Sequence, residues 1–305
     1  MTKTWSARPP RSQYDKRMSE TTLTFLGSGT SQGIPMIGCN CPVCLSADPR
    51  DKRLRASVLV RTGGLTVLVD AGPDFRYQML RAGVRHLDAI LLTHNHKDHT
   101  GGLDDTRSFN LLEAKPVNIY CEEYVERSLR REYSYAFAEP RYPGAPEWHL
   151  HRIDGKGPFR VQSNAAEETL VWESGFGYHH VSPSEGPEVT EIEVIPIQGW
   201  HQKKKDLSVL GFRFGKIAYL TDMNLIEDAE FEKLRGLEAV TVNCVKRGPH
   251  FSHFSLQEAL DFFARVGARN SYITHISHLL PRHAELEAEL PEGVHLAYDG
   301  LEIKA

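Results

Sequence analysis

The chain has 305 residues, of which 40% are hydrophobic and 25% are charged, and its formal net charge is −4. This length allows one large buried core, and an α/β domain of this size need not be divided. The negative balance offers no basic face for general nucleic-acid binding, and no apolar run approaches the roughly 20 residues that span a bilayer. We therefore expect neither a stable nucleic-acid partner nor a membrane association.

The first twenty residues are polar, include Pro9 and Pro10, and lack the apolar segment of a secretory signal. Their arginines and serines leave a transit peptide open, but Asp15, Glu20 and the two prolines argue against one. We predict that residues 1–20 form a disordered extension, that residues 21–305 form one folded domain, and that the protein is cytoplasmic.

Apolar periodicity predicts alternating strands and helices in two βα halves, which indicates the α/β class. Predicted strands lie near 22–26, 56–62, 66–70, 89–93, 117–121, 192–197, 208–214, 216–221, 239–244, 270–274 and 294–298. Predicted helices lie near 74–82, 102–112, 122–133, 225–235, 255–266 and 282–290. Ser255 and Glu258 have the spacing of a capping box at the start of the helix at 255–266.

Three of the five cysteines, Cys39, Cys41 and Cys44, lie within six residues. Disulfides across such short spacings would be strained or redox-active, and nothing indicates an oxidising compartment. The run therefore favours three thiolate ligands of a structural zinc that needs a fourth donor, with buried or redox-labile free cysteines as the alternative. Cys121 and Cys244 lie in strand-like apolar runs and are predicted to be small core residues.

The strand predicted at 89–93 runs directly into His94, His96, Asp98 and His99. Side chains alternate along an extended strand, so the first three of these donors share a face if the backbone stays extended, and His99 points elsewhere. Clustered ionisable groups beside a core cost free energy unless they are paired or bind metal. The run therefore predicts two adjacent metal ions, against the alternative of a chance polar loop.

Three more donors follow predicted strands: His201, Asp222 and His275. Taken singly, each is more typical of a cap or a surface position than of a ligand. Functional groups of layered α/β folds gather where strand ends open into loops, so the shared position favours a common metal site.

Residues 140–190 are rich in proline and glycine and show no sustained periodicity. We interpret this segment as a loop-rich insertion, and loops of this length are often lids or binding elements, so it could shape substrate access. Its four histidines are predicted to be surface or loop residues rather than ligands: His149, His151, His179 and His180. The run Lys203–Lys205 is interpreted as a solvated charge cluster, with a phosphate contact as the alternative.

The H-x-H-x-D-H run and the later His, Asp and His resemble the metallo-β-lactamase superfamily of hydrolases. Within it, residues 26–35, the cysteine run at 39–44 and the segment Thr274–His278 resemble the cyclic-phosphate phosphodiesterases of bacterial phosphonate breakdown. That family acts on phosphoribosyl 1,2-cyclic phosphate. The resemblance covers roughly 21–121 and 192–303, implies a four-layer αββα sandwich, and leaves 162–187 as an insertion.

The resemblance also implies how the donors are shared between two ions. His94, His96 and His201 would hold one ion, and Asp98, His99 and His275 the other, with Asp222 bridging them.

Four further roles are carried over residue by residue. His278 would be the fourth ligand of the structural zinc. Asp70 would orient a metal-binding histidine through a hydrogen bond. His253 would be the proton donor, with an ordinary histidine pKa suited to neutral pH, and His250 is a weaker candidate for that role.

These assignments imply a hydrolase that cleaves small cyclic phosphodiesters with a metal-activated hydroxide, assisted by Asp98, Asp222 and His253. The donor types accept zinc, manganese or iron. The alternatives are an RNA hydrolase resembling the tRNA 3′-processing endonucleases and a thioesterase or lactamase-type hydrolase. A non-enzymatic factor of cofactor biosynthesis would be expected to have a degraded donor run, whereas this one is intact. The sequence leaves a homodimer open.

Overall fold

A computed structural model describes residues 20–165, 168–182 and 189–305. The disordered extension predicted for 1–20 therefore lies, apart from Glu20, outside the described residues. In the described ranges, no helix is both long enough and apolar enough to cross a membrane.

The described residues contain seventeen strands and six α-helices. The strands are β1 (Thr22–Gly27), β2 (Ser57–Thr62), β3 (Leu65–Val69), β4 (Ala89–Leu91), β5 (Val117–Cys121), β6 (Trp148–Arg152), β7 (Phe159–Gln162), β8 (Thr169–Glu173), β9 (Gly177–Val181), β10 (Glu191–Trp200), β11 (Ser208–Phe214), β12 (Ile217–Tyr219), β13 (Leu225–Ile226), β14 (Ala239–Asn243), β15 (Asn270–Thr274), β16 (Val294–Leu296) and β17 (Glu302–Lys304). The α-helices are α1 (Phe75–Arg81), α2 (Lys97–Thr100), α3 (Arg107–Glu113), α4 (Glu123–Glu132), α5 (Leu256–Val266) and α6 (His283–Glu287), and 3-10 helices occupy Pro49–Asp51, Leu103–Thr106, Ser134–Phe137 and Asp228–Leu234.

Two large mixed sheets pack face to face. The first has the strand order β17-β1-β2-β3-β4-β5-β6, and the second has the order β13-β10-β11-β12-β14-β15-β16 with β7 paired to the start of β10. Strands β3 to β6 are parallel to one another, as are β12, β14, β15 and β16. Parallel strands bring their carboxyl ends to one edge of a sheet, which we call the carboxyl edge.

Three apolar clusters define the layers. One lies between the sheets and includes Phe25, Phe212 and Tyr219. The other two lie on the outer faces, where the second sheet packs against α5 and α6 and the first sheet packs against α1, α3 and α4. A sheet with both faces covered by apolar layers is the buried arrangement that parallel strands require. The predicted α/β class and the αββα order of layers are confirmed.

Helix α5 shows how local sequence determines an element. Ser255 accepts a hydrogen bond from the backbone N–H of Glu258, whose carboxylate accepts one from the Ser255 N–H, so the predicted capping box is present. Gly267 ends the helix at φ +66°, a left-handed conformation that costs glycine little.

The predicted helix at 225–235 is wrong over its first residues. Leu225 and Ile226 form the short strand β13, which pairs with Trp200 and Gly199, and a 3-10 helix follows. The predicted loop character of 140–190 is also wrong in part, because this segment contains β6, β7 and the hairpin β8–β9. Strand pairing thus overrides weak local preference at both places.

The hairpin β8–β9 lies far from the carboxyl edge. At its base the Ser163 N–H donates to the Thr190 carbonyl, and Asn164 donates to Asp88 and Pro116, which precede β4 and β5. Strand β10 starts beside this base and ends before His201, so at about 3.3 Å per residue its ends are roughly 30 Å apart. The hairpin β8–β9 therefore lies away from the carboxyl edge, whereas residues 153–157 of the same segment follow β6 at that edge.

Candidate metal centre

The seven predicted donors meet at the carboxyl edge. His94 and His96 follow β4, and Asp98 and His99 lie on α2 directly behind them. The remaining three each follow a strand of the second sheet: His201 after β10, Asp222 after β12 and His275 after β15. The two sheets therefore bring strand ends from both halves of the chain to one place.

We call His94, His96 and His201 the three-histidine group. Their nitrogens lie within 4.8 Å of one another, and the ring centroids of His94 and His96 are 4.5 Å apart. His94 and His201 are buried, whereas His96 is exposed. Three imidazoles that converge in this way are typical of a zinc or manganese site with an open position.

We call Asp98, His99, Asp222 and His275 the mixed group, whose ligand atoms also lie within 4.8 Å of one another. His99 Nε2 is 3.0 Å from Asp222 Oδ2 and 3.2 Å from Asp98 Oδ2. His275 Nε2 is 3.1 Å from Asp222 Oδ1. Asp222 Oδ1 also lies 4.0 Å from His201 Nε2 of the three-histidine group, so this carboxylate stands between the two groups.

The ring nitrogens fit a metal better than they fit one another. Nε2 of His94, His99 and His275 is buried and makes no hydrogen bond of acceptable geometry, despite the carboxylate oxygens beside His99 and His275. An unpartnered buried polar atom is costly, so a set of them aimed at common points is best explained by ions at those points. Burial and the nearby charge of His99 hold the pKa of His94 well below its usual range, which keeps that ring neutral and able to bind metal.

Asp70 orients a histidine of each group, one directly and one through Thr93. The fully buried carboxylate accepts hydrogen bonds from the Thr93 backbone N–H (2.9 Å), the Thr93 hydroxyl (2.9 Å to Oδ2) and His99 Nδ1 (2.6 Å). Because His99 Nδ1–H donates to Asp70, Nε2 is left to face the mixed group. The Thr93 hydroxyl lies 3.0 Å from His94 Nδ1, so a single carboxylate orients histidines of both groups.

Thr93 was not among the predicted site residues. Its position directly before the H-x-H-x-D-H run, at the end of a buried strand, is the signal that could have identified it. A buried hydroxyl beside a metal-binding imidazole needs a partner, and Asp70 supplies one.

Backbone conformation distinguishes three of the site residues. Asp70, Asp222 and His275 have φ values of +64°, +56° and +52°, in the left-handed region that non-glycine residues rarely occupy. Each follows a strand, and the turn of the backbone there redirects its side chain toward the site. Strained residues of this kind cluster at functional sites.

The predicted zinc ligands also come together. Cys39 Sγ and Cys41 Sγ lie 3.3 Å and 3.5 Å from His278 Nδ1, and Cys44 completes a group whose atoms are within 4.8 Å of one another. The Cys41 thiol accepts a hydrogen bond from the Cys44 backbone N–H. This bond and the contact with His278 lower the pKa of Cys41 to about 6, whereas burial raises the pKa of Cys44 to about 11. Three cysteines and one histidine are a donor set typical of structural zinc.

This cysteine group is joined to the mixed group by backbone pairing. Thr30 N–H donates to the Ile276 carbonyl, and Ile276 N–H donates to the Ser28 carbonyl, directly after His275. The loop that carries the cysteines is thereby fixed to the segment that carries both His275 and His278.

His253 lies beside both groups of donors. Its ring centroid is 4.9 Å from those of His201 and His275, and its Nδ1 is 3.7 Å from Asp222 Oδ1. Burial lowers the pKa of His253 to about 3, although the charge of Asp222 opposes this shift. The ring therefore differs from the ordinary histidine expected from the sequence. His250, the weaker candidate, lies one ring further out, 5.1 Å from His253.

The remaining predictions concern side chains around the site. Lys203, Lys204 and Lys205 pair with Glu258, Asp206 and Glu227, which supports the solvated charge cluster. Cys121 and Cys244 are fully buried, as predicted. Among the described residues, the four histidines at 149, 151, 179 and 180 belong to no group of three or more close donors, but they lie on β6 and β9 rather than on loops.

Comparison with known proteins places this fold and site in a class. The family model described as the beta-lactamase superfamily domain matches residues 66–276. The chain therefore belongs to the metallo-β-lactamase superfamily of hydrolases. A solved structure described as a new diphosphatase from the PhnP family is 37% identical, with a TM-score of 0.76 over 94% of this chain and 97% of that one. Within the superfamily, the chain belongs to this PhnP family.

Two curated relatives are similar over shorter shares of their own length. An octanoyltransferase of Porphyromonas gingivalis is 37% identical over 280 residues, which cover 91% of this chain and 50% of that protein. The chain thus spans about half the length of this relative. A ribonuclease Z of Archaeoglobus fulgidus is 34% identical over 119 residues, which cover 38% of this chain and 32% of that protein.

Proposed function

We propose that the protein is a dinuclear metal-dependent phosphodiesterase that hydrolyses small phosphodiesters, with phosphoribosyl 1,2-cyclic phosphate as the leading candidate. The observation that carries this proposal is the position of Asp222. One of its oxygens faces His99 of the mixed group, and the other lies between His275 and His201 of the three-histidine group. A carboxylate placed between two sets of imidazoles is suited to bridging two ions.

Zinc or manganese ions in these groups would supply Lewis acidity and neutralise charge on the phosphoryl oxygens. The side chains supply orientation. Asp70 and Thr93 fix the rings of His99 and His94, which removes the need for reorganisation during the reaction. Cys39, Cys41, Cys44 and His278 would hold a third, structural zinc, which would secure the segment behind His275.

Hydrolysis forms a bond between a water oxygen and phosphorus while the bond to the leaving oxygen breaks, and that oxygen then needs a proton. His253 is placed to donate it, since its ring lies 4.9 Å from those of His201 and His275 and is only slightly exposed. Burial lowers the pKa of His253, so the negative charge of a bound phosphoryl group beside the ring is needed to raise its proton affinity.

Charge supports a small substrate. Each lysine of the run beside His201 already has a carboxylate partner, and the net charge of the chain is negative. Nucleic-acid affinity comes largely from phosphate neutralisation by free lysine and arginine, so a long RNA gains little here. A cyclic phosphate also holds both ester oxygens in a fixed geometry, which lowers the entropic cost of attack.

A second candidate is hydrolysis of a diphosphate linkage. It is favoured by the 37% identity to a member of the family described as a diphosphatase. The same donors can act on it, but the leaving group is then a phosphate, whose second pKa of about 6 makes a proton donor nearly unnecessary.

A substrate panel tests the proposal and separates the candidates. Metal-replete protein is assayed with phosphoribosyl 1,2-cyclic phosphate, 2′,3′-cyclic nucleotides, linear diesters, nucleoside diphosphate esters and precursor tRNA. We expect the highest kcat/KM for a small cyclic phosphate. A higher value for a diphosphate selects the second candidate, and a higher value for precursor tRNA would refute the small-substrate proposal.

A further inference from the structure

Phe251 is an exposed aromatic side chain at the outer end of a row of rings that begins in the metal centre. Its side chain is 74% exposed, although it lies only two residues before His253. A row of rings leads to it from the mixed group, with centroid separations of 4.9 Å from His275 to His253, 5.1 Å from His253 to His250 and 4.6 Å from His250 to Phe251. The proposed mechanism uses the inner rings of this row and leaves Phe251 without a role.

The segment that carries Phe251 is fixed by hydrogen bonds. The Asn224 side-chain amide donates to the carbonyls of His250 (3.2 Å) and His253 (2.6 Å), on both sides of Phe251. Asn224 is buried and lies two residues after Asp222, so the metal centre and the segment share one support. Ser252, also buried, donates its N–H to His250 Nδ1 (3.3 Å). The backbone on both sides of Phe251 is therefore tied to Asn224, and the phenyl ring of Phe251 is left exposed.

An exposed phenyl ring beside a phosphoryl site has a specific chemical use. Nucleobases stack on aromatic side chains with a worth of about 1–3 kcal/mol per base, so an exposed phenyl ring near a phosphoryl site can contribute affinity for a nucleotide. Because every base has a π-face, stacking tolerates different bases. Phe251 packs against the His250 ring at a tilt of 32°, so the two rings present a broadened edge to a planar group.

We infer that Phe251, supported by His250, is a stacking subsite for the nucleobase of a phosphodiester bound at the metal centre. This inference rests on the proposed function and adds a source of affinity for those small phosphodiesters in which a base lies next to the reacting phosphate. Sugar phosphates without a base, including phosphoribosyl 1,2-cyclic phosphate, gain nothing from this ring. Phe251 thus sets the preference between the two kinds of small phosphodiester and takes no part in the bond-breaking step.

The test compares substrates with the same reacting ring. Adenosine 2′,3′-cyclic phosphate carries a base, and methyl riboside 2,3-cyclic phosphate does not. Phe251→Ala should lower kcat/KM about tenfold or more for the first, which is the worth of one stacked base, and leave the second unchanged. Phe251→Tyr, which keeps an aromatic ring, should have the wild-type kcat/KM for the adenosine substrate. Phe176→Ala is the matched control, because Phe176 is 78% exposed but lies on the turn of the distant hairpin.

A binding measurement is independent of turnover. Saturation-transfer NMR of metal-replete protein with adenosine 3′-monophosphate should show transfer to the base protons, and Phe251→Ala should remove it. The inference would be overturned if Phe251→Ala lowered kcat/KM equally for both substrates. It would also be overturned if saturation transfer to the base protons persisted in this variant. If the wild-type protein hydrolyses none of the phosphodiesters, the proposed function fails, and the NMR result still decides whether a base stacks on Phe251.

Discussion

Replacing Asp70 with Asn should weaken metal binding without changing any metal ligand. The substitution keeps the size of the side chain and suits the backbone, because Asn and Asp both tolerate the left-handed conformation that Asp70 adopts at φ +64°. It removes the negative charge of a carboxylate that accepts hydrogen bonds from His99 Nδ1 at 2.6 Å and from the backbone N–H and hydroxyl of Thr93 at 2.9 Å. Asp70 accepts hydrogen bonds with two oxygens, whereas an Asn side chain has only one. The NH2 group of the Asn must therefore face at least one of the hydrogen-bond donors around it.

The magnitude follows from the hydrogen bond to His99. A hydrogen bond to a charged group contributes about 1.5–3 kcal/mol, and loss of such an outer partner typically lowers metal affinity about 10–100-fold, which is about 1.4–2.8 kcal/mol. Burial raises the pKa of Asp70, while the charge of His99 and the hydrogen bonds from His99 and Thr93 oppose that shift. We expect the mixed group, which His99 joins directly, to lose more affinity than the three-histidine group.

The assay is competition between protein and a chromophoric chelator for zinc and for manganese. Asp88→Asn is the matched control, since Asp88 is also a buried carboxylate that accepts from a histidine (His86, 3.0 Å) and from backbone N–H groups, but it lies at the other end of β4. Both variants should lower the thermal stability of the metal-free protein, and only Asp70→Asn should lower metal affinity. Wild-type affinity in Asp70→Asn, or an equal loss in Asp88→Asn, would refute the reasoning.

Three further predictions concern histidines. Elemental analysis should find about three metal ions per chain and about two in His278→Ala, because the cysteine group then lacks its fourth donor; one ion or fewer in the active wild-type protein would exclude the dinuclear proposal. His253→Ala should keep its metal and lose roughly 10²–10⁴ in kcat on alkyl esters but less on p-nitrophenyl esters or diphosphates; equal losses on all would count against proton donation. Burial would lower the pKa of His86, but its hydrogen bonds to Asp88 and Glu113 raise it to about 9. Protonated His86 therefore stabilises the fold. This contribution is complete below the unfolded-state pKa of about 6.5 and is lost as the pH rises through 9. The difference in free energy of unfolding between wild type and His86→Gln should therefore narrow from pH 6.5 to 9, and a constant difference would contradict the assignment.

The donor set could be predicted from the sequence because its signal is local. An apolar strand that continues into several ionisable residues violates the usual separation of core and polar groups, so a metal is the simplest compensation. Predicting the later donors, His201, Asp222 and His275, required only the rule that the carboxyl ends of parallel strands lie at one edge of a sheet. The positions of these residues after β4, β10, β12 and β15 agree with that rule.

Other features depend on contacts that a local pattern does not contain. Strand β13 forms because two residues pair with the end of β10, whereas the surrounding residues read as helix. The left-handed conformation of Asp70, Asp222 and His275 is imposed by the turn each makes behind the site. The lowered pKa of His253 arises from burial among side chains that are distant in the sequence, so the residue type alone suggested an ordinary value.

The insertion provides the clearest test of how contacts correct a pattern. A long glycine- and proline-rich segment suggested a lid, but the base of its hairpin β8–β9 is bonded to residues that precede β4 and β5, so the hairpin lies away from the site. Ser163 and Thr190 are directly hydrogen-bonded, so residues 166–188 can be replaced by a short glycine linker without moving either strand that leads into the base. Because the metal centre lies roughly 30 Å away along β10, kcat/KM and metal content should stay at the wild-type level.

Stability should respond differently from activity. The hairpin packs against α3, so removing it takes away these contacts and should lower Tm. Shortening the loop at 202–206, which directly follows His201, is the opposing control and should reduce metal content and activity together. A fall in kcat/KM with full metal content after hairpin removal would restore the lid interpretation, since only a segment that reaches the substrate could change turnover without changing the ions.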